Sequence, residues 1–181
     1  MNEKFKEISD SHVTISILML PSHSNFNGKI HGGHVLSLMD QIAFAFASKH
    51  SGVYCVTASV DTVDFLKPIE IGELVTMKAS VNFVGTSSML IGIRVEAENI
   101  KTGECKHCNS SYFTMVAKDS DGKSVPVPGL ILKTKDDIRR FAKSIKRYDN
   151  KKKRREEFHE TDFVSEEYKH IVETYKVKIE Q

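Results

Sequence analysis

Residues 21–40 read PSHSNFNGKIHGGHVLSLMD, a polar loop that leads through two adjacent glycines into a mostly apolar segment. The pair Gly32-Gly33 allows the backbone to turn sharply and to approach another molecule closely. From His34 to about Lys49 the chain contains no Gly or Pro, which predicts one long helix. This segment decides the fold, because the helix that it begins needs an apolar environment.

The predicted helix carries an acid on its apolar side. At about 100° per residue, Asp40 points in the same direction as a stripe of apolar side chains, namely Leu36, Ala43, Phe44 and Ala47. Burial of an unpaired carboxylate is costly, so Asp40 needs hydrogen-bond donors, an internal cleft or a bound proton. The helix alone therefore fits two roles for Asp40, a reactive group or a buried structural acid held by backbone donors.

Alternating apolar and polar residues after the helix predict a series of strands. The pattern runs from Tyr54 to Val60, from Val75 to Phe83 and from Met89 to Ala97, and a further strand is expected over residues 104–118. A short strand is expected near residues 14–20, before the helix. The order of one strand, a long helix and about four strands indicates an antiparallel α+β domain.

The alternation of the first strand after the helix has one local irregularity. It changes parity between Val60 and Val63, which predicts a bulge near Asp61.

The predicted helix is apolar on nearly all sides, whereas surface helices keep a broad polar side, so the sheet must enclose it. A sheet curled around one central helix is the hotdog fold. Such a sheet leaves edge strands and one side of the helix uncovered, so we expect at least a homodimer.

The composition changes near residues 126–129, where PVPG precedes a more charged segment. We therefore assign residues 1–129 to the hotdog domain and residues 130–181 to a charged, partly helical extension. Thr134 is a candidate helix cap. An apolar stripe follows it, formed by Ile138, Phe141, Ile145 and Tyr148. A stripe of this kind is expected to dock on the core or on a neighbouring subunit.

Charge gives little indication of a polyanionic partner. The net charge of the 181-residue chain is +2, and the basic run at residues 151–155 is followed at once by Glu156 and Glu157. Without interleaved aromatic residues, this pattern favours a solvated helix face over a phosphate-binding site. We therefore expect neither a nucleic-acid partner nor a membrane partner.

The sequence favours a reducing compartment. No apolar run approaches the roughly 18 residues that cross a bilayer, and no signal segment is visible, so we expect a cytoplasmic protein. The three cysteines, Cys55, Cys105 and Cys108, are an odd count that suits reduced thiols. The pair Cys105 and Cys108 lacks a second pair of ligands, so no metal site is predicted.

Several motifs together resemble a known family. Residues 25–33, NFNGKIHGG, followed by Asp40, are similar to the hotdog-fold acyl-CoA thioesterases of the bacterial single-domain and brain-type cytosolic group. Residues 65–73, FLKPIEIGE, resemble a strand end and turn of that family, and residues 84–88, VGTSS, resemble its coenzyme A loop. The resemblance spans residues 10–126 and is specific because the motifs occur in combination.

The resemblance implies hydrolysis of acyl-CoA to a free carboxylic acid and coenzyme A, with no cofactor beyond the coenzyme A of the substrate. It implies that Asp40 activates water or attacks the thioester itself, and that Asn25 positions water or substrate from across the dimer interface. The backbone amides of Gly32 and Gly33, at a helix start, are suited to stabilise the oxyanion. Because the family often forms trimers of dimers, a hexamer is the larger assembly that the resemblance implies.

The resemblance also assigns coenzyme A contacts. The residues in question are Lys67, Gly85, Thr86, Ser87 and Ser88. Many relatives have Arg at the position of Thr86, so this chain departs from the family by one phosphate contact.

Other interpretations of the same residues stay open. A noncatalytic acyl-CoA or nucleotide sensor would explain Thr86 and the extension. An acyl-thioester hydratase or dehydratase usually has an Asp/His pair on the helix, but His34 lies nearly opposite Asp40. Taken without the motif, Asn25 is typical of a turn. We interpret His31 as a packing residue, because the resembling proteins tolerate Phe there.

Overall fold

The computed structural model describes residues 5–178. In chain order, the strands and helices are β1 (Phe5–Glu7), β2 (Thr14–Leu18), α1 (Gly32–Ser51), β3 (Tyr54–Val60), β4 (Glu73–Val84), β5 (Ser88–Asn99), β6 (Cys105–Lys118), β7 (Gly129–Ile131), α2 (Lys135–Glu160) and α3 (Glu166–Glu173). Short 3-10 turns occupy Ile8–Ser11 and Pro21–His23.

The main sheet has five strands in the order β2-β4-β5-β6-β3, and every neighbouring pair is antiparallel. Helix α1 contacts β3, β4, β5 and β6, so the sheet wraps around one side of it. The predicted α+β hotdog architecture is therefore confirmed. Strands β4 and β5 also agree with the predicted alternation, whereas β3 and the position of the bulge do not. The bulge lies between Thr57 and Ser59 rather than near Asp61, whose amide still pairs with the Tyr112 carbonyl at 2.9 Å.

The core lies between α1 and the inner face of the sheet. On the helix, the fully buried side chains include Val35, Met39, Ile42 and Phe46. They meet alternate residues of the strands, among them Val81, Ile91, Phe113 and Met115. Burying one such side chain contributes about 1.5–3 kcal/mol. Packing of α1 against the sheet therefore makes a large contribution to the stability of this domain.

One side of α1 is not covered by the sheet of its own protomer. Ser37 and Gln41 are exposed there, and Phe44 keeps 40% of its surface accessible. The Phe44 ring meets that of Tyr54 edge to face, with centroids 5.6 Å apart, and Tyr54 belongs to the edge strand β3. The exposed helix side is thus continuous with an exposed sheet edge.

The C-terminal end of α1 is hydrogen-bonded to residues near both ends of the domain. Gly52 has a φ of 77° and terminates the helix in the left-handed conformation. The fully buried His50 donates from Nε2 to the Pro128 carbonyl at 3.0 Å, and Lys6 Nζ donates to the His50 carbonyl at 2.7 Å. Beside this junction β1 pairs with β7 in a parallel two-stranded sheet. That small sheet was not predicted.

The chain separates into two compact units, with the first ending at Ser144. The first unit thus includes the start of α2. Thr134 caps this helix as predicted, because its Oγ1 accepts from the Asp137 amide at 3.0 Å. Phe141 packs on Phe83 with ring centroids 5.3 Å apart, whereas Ile138, on the predicted docking stripe, is 56% exposed. The assignment of residues 1–129 and 130–181 to separate domains stays a prediction.

The second unit contains the rest of α2 and α3. Its side chains include a cluster of aromatic rings. The centroid of the Phe163 ring lies 5.5 Å from that of Phe158 and 5.1 Å from that of Tyr168. Lys152 of the basic run lies 3.9 Å from Glu156. Over residues 5–178, the helices include none with the length and hydropathy of a membrane span.

The buried His50 predicts a pH-dependent stability. Burial lowers the pKa of His50 below its ordinary value of 6.5, so the unfolded chain binds this proton more readily than the folded chain does. The free energy of unfolding should therefore fall as the pH is lowered from about 7.5 to about 5.5. Thermal unfolding across this range measures the effect.

His50→Gln is the matched variant, because the amide can still donate to Pro128 but does not titrate. Its melting temperature should depend less steeply on pH than that of the wild type. Equal slopes for the two proteins would rule out His50 as the source.

Candidate active site

The acid on the apolar side of α1 meets the edge strand β3. Thr57 Oγ1 donates a hydrogen bond to Asp40 Oδ1 at 2.6 Å and lies 3.4 Å from the Met115 sulfur. Among residues 5–178, Thr57 supplies the one hydrogen bond to this carboxylate. Asp40 is half-buried, so its second oxygen can reach a bound molecule.

Thr57 was missed in the sequence, and the bulge explains its position. The alternation suggested Tyr54, Val56, Ala58 and Val60 as one apolar face of β3, but Tyr54 and Val60 are 61% and 40% exposed. The bulge beside Thr57 changes the direction of the strand and aims the hydroxyl at the helix. The signal available in the sequence was a threonine on the strand that directly follows the helix carrying Asp40.

Two rings explain why both helix-start residues are glycines. A Cβ at Gly32 would lie 3.1 Å from Phe65 Cζ, and a Cβ at Gly33 would lie 3.0 Å from His31 Nδ1. Each distance is shorter than ordinary carbon contacts, so a side chain would displace the ring. The glycine pair therefore serves close packing at the start of α1.

The amides of the helix start are not equally available. Gly33 N donates to His31 Nδ1 at 3.0 Å, and the amides of His34 and Val35 donate to the His31 carbonyl at 2.9 and 3.2 Å. His31 is thus the N-cap of α1, which corrects its interpretation as a packing residue. Among the described residues, the Gly32 amide has no acceptor. Of the two predicted oxyanion donors, Gly32 is open and Gly33 is engaged.

A pair of histidines lies next to this helix start. The rings of His23 and His34 stack with centroids 4.0 Å apart, and His23 Nδ1 accepts from the Leu20 amide at 3.2 Å. Burial lowers the pKa of His34, and the nearby His23 and His31 lower it further. No hydrogen bond joins His34 to Asp40 in the described chain, so the structure does not form the Asp/His pair of a hydratase.

Asn25 shapes the loop before α1. Its Oδ1 accepts from the amides of Asn27 at 2.9 Å and Lys29 at 3.2 Å, and Gly28 has a φ of 72° within the same turn. The Asn25 side chain is exposed, and Phe26 beside it is fully exposed. Within residues 5–178 no hydrogen bond joins Asn25 to Asp40. Their meeting across a dimer interface stays a prediction.

The expected coenzyme A residues lie in two places. In the β4–β5 turn, the Gly85 amide donates to the Ser88 carbonyl at 2.8 Å, and the Thr86 and Ser87 carbonyls accept from Val127 and Ala117. Lys67 follows Leu66, whose amide bonds to the Cys108 carbonyl, whereas Ser88 pairs with Val116. Along β6 these positions are about 25 Å apart. One protomer therefore does not bring Lys67 to the turn.

The chain also matches known proteins. A family model described as the thioesterase superfamily matches residues 27–104. Protein VdlD of Helicobacter pylori is 44% identical over 133 residues, which are 74% of this chain and 76% of VdlD. The chain belongs to the thioesterase superfamily. This thioesterase is 37% identical over 146 residues to the uncharacterized acyl-CoA thioester hydrolase YkhA of Bacillus subtilis, covering 81% of this chain and 85% of YkhA.

A human relative of this thioesterase is the cytosolic acyl coenzyme A thioester hydrolase, 32% identical over 158 residues, which are 86% of this chain and 42% of the human protein. Among solved structures, an apo-hexameric acyl-CoA thioesterase has a TM-score of 0.81 at 36% identity and covers 83% of this chain and 97% of its own.

A Staphylococcus aureus acyl-CoA hydrolase in complex with butyryl coenzyme A, coenzyme A and coenzyme A disulfide has a TM-score of 0.79 at 32% identity and covers 86% of this chain and 94% of its own. Variants of the same hydrolase with alanine in place of an asparagine, an aspartate or a threonine have also been solved.

The contact between Gly32 and Phe65 predicts that the two positions are coupled. A Cβ at Gly32 would lie 3.1 Å from Phe65 Cζ, so the ring must shift slightly to make room for it. Gly32→Ala should therefore be less favourable for the free energy of unfolding in the wild type than in a Phe65→Ala background, where the ring is absent. Denaturant titration of the four proteins measures both effects, and equal effects in the two backgrounds would exclude the contact as the reason for glycine.

Proposed function

We propose that this protein hydrolyses acyl-CoA thioesters to a free carboxylic acid and coenzyme A, with Asp40 as the reacting acid. The observation that carries the proposal is the 2.6 Å hydrogen bond from Thr57 to Asp40, inside a hotdog domain. Relatives at 37% and 32% identity are named acyl-CoA thioester hydrolases, which supports the same reaction class.

The hydrogen bond from Thr57 suits two mechanisms. It fixes Oδ1 of Asp40 and leaves the second oxygen to accept a proton from water, and a general base in this position contributes roughly 10²- to 10⁴-fold. Alternatively, the free oxygen attacks the thioester carbonyl and expels coenzyme A as its thiolate, and water then cleaves the resulting anhydride to release the carboxylic acid and regenerate Asp40. Both routes need the carboxylate beside the thioester carbonyl.

The same helix cannot supply both the acid and the oxyanion donor to one thioester. Gly32 and Asp40 lie on α1 about 12 Å apart along its axis, since each residue rises 1.5 Å. A reacting carbonyl must lie about 3 Å from both groups. We therefore propose that Asp40 of one protomer works with the helix start and the Asn25 loop of a second copy. The exposed Asn25 and Phe26 at that loop support this arrangement.

The spacing of three residues supports their assignment. In the Staphylococcus aureus hydrolase, the asparagine, aspartate and threonine that were replaced by alanine are separated by 15 and 17 positions. Asn25, Asp40 and Thr57 of this chain have the same order and spacing. We propose that they are the corresponding residues, with Thr57 orienting the acid.

The protein acts as a homo-oligomer on an acyl-CoA substrate. The apo-hexameric thioesterase supports a hexamer, and the exposed side of α1 beside the edge strand β3 is the surface that a second copy would cover. We propose that Lys67 and the turn from Gly85 to Ser88 bind coenzyme A from different protomers, because they are far apart in one. The cytosolic human relative supports a cytoplasmic location.

Asp40→Asn tests the reaction directly. It keeps the size and the hydrogen bond from Thr57 but removes the charge that activates water or attacks the thioester. The turnover number should fall about 10²- to 10⁴-fold for every acyl chain that the wild type hydrolyses. Release of free thiol from an acyl-CoA series measures it. Binding of coenzyme A by the wild type without turnover of any chain length would instead favour a sensor.

Thr57 provides a matched pair of variants. Thr57→Val removes the donor to Asp40 and keeps the shape of the side chain. The value of kcat should therefore fall at least tenfold, which corresponds to an activation free energy raised by about 1.4 kcal/mol, while KM changes little. Thr57→Ser keeps the hydroxyl and should retain most of the wild-type activity. Equal losses in the two variants would show that packing, not the hydrogen bond, is the contribution of Thr57.

A further inference from the structure

His31 accepts a hydrogen bond from the amide of Gly33, one of the two amides that the family resemblance assigns to the oxyanion. Its Nδ1 accepts the hydrogen bond of Gly33 at 3.0 Å, and the ring lies so close that a Cβ at Gly33 would be 3.1 Å from Cε1. An amide has a single hydrogen and cannot donate in full to both the imidazole and a thioester oxygen. The cap and the oxyanion therefore compete for the same donor.

The local structure allows the ring to leave without moving the helix. The His31 carbonyl is held by the amides of His34 and Val35, and the His31 amide donates to the His23 carbonyl at 2.9 Å. The backbone is thus fixed on both sides, whereas the side chain is exposed. Rotation of the ring alone frees the Gly33 amide next to the open Gly32 amide.

We propose that His31 gates the oxyanion site: its imidazole holds the Gly33 amide in the free enzyme and releases it when the thioester oxygen arrives. His31 is thereby a positioning residue that stabilises the helix start between turnovers and weakens binding of the transition state by the strength of the cap. This role rests on the proposed thioester hydrolysis.

A gate and a simple cap make opposite predictions. If His31 only caps α1, a better cap improves the helix start, and stability and activity rise together. If His31 gates Gly33, a better cap competes more strongly with the oxyanion, so stability and activity move in opposite directions. Substitutions that change the cap strength in both directions therefore separate the two roles.

His31→Phe and His31→Asn form the test series. Phe keeps a ring but accepts no hydrogen bond, whereas Asn is among the strongest N-cap residues. For His31→Phe we expect a lower melting temperature and a kcat/KM raised about threefold to tenfold, the range that matches the usual strength of a cap. For His31→Asn we expect a melting temperature above that of the wild type and a kcat/KM lowered by a similar factor.

The control ligand is a coenzyme A thioether whose alkyl chain has the same length as the acyl chain of the substrate. It has no carbonyl oxygen to accept a hydrogen bond from the amide. Its Kd should be the same for the wild type and both variants. The gate is overturned if kcat/KM falls in His31→Phe and recovers in His31→Asn together with the melting temperature, or if kcat/KM does not respond while stability changes. If the wild type and both variants all lack hydrolysis, the proposed function fails and the gate with it.

Discussion

Burial of α1 against the inner face of the five-stranded sheet is the constraint on which the rest of the structure depends. Phe46 and Met39 must face the sheet, and this fixes the rotation of the helix about its axis. Once that rotation is fixed, Asp40 is directed to β3, where a bulge aims Thr57 at it. The position of the acid therefore follows from core packing, since the rotation that buries Phe46 and Met39 also places Asp40 against β3.

The length of the helix imposes a second constraint. The open amide at Gly32 and the acid at Asp40 are about two turns apart, so each protomer carries two half-sites rather than one complete site. The exposed side of α1, with Phe44 beside Tyr54 of the edge strand, provides the surface on which a second copy completes them. Oligomerisation in this account is a requirement of catalysis and not only a means to cover apolar surface.

Much of the fold could be predicted because its periodicities are strong. The alternation in β4 and β5 and the uninterrupted apolar helix indicate one antiparallel sheet around α1, and the cap at Thr134 follows from local chemistry. The small sheet of β1 and β7 could not be predicted, because three-residue strands have no measurable alternation and their pairing depends on distant chain ends.

The site could be predicted only in part from the sequence, because some of its residues depend on local irregularities of the backbone. Asp40 is conspicuous because a carboxylate is costly on an apolar face. Thr57 is not, because a bulge hides which face of β3 is inward. The capping role of His31 depends on a single ring orientation over Gly33, which sequence spacing does not determine.

The central claim is that each active site combines Asp40 of one protomer with the Asn25 loop of another. The most direct measurement mixes two variants, Asp40→Asn and Asn25→Ala, by co-expression in equal amounts. In a mixed dimer one site would contain both intact residues and the other neither, so random pairing predicts recovery of about a quarter of wild-type activity from two inactive proteins. Activity no higher than that of the separate variants, in a sample shown to contain mixed dimers, would contradict the claim and place both residues of a site in one chain.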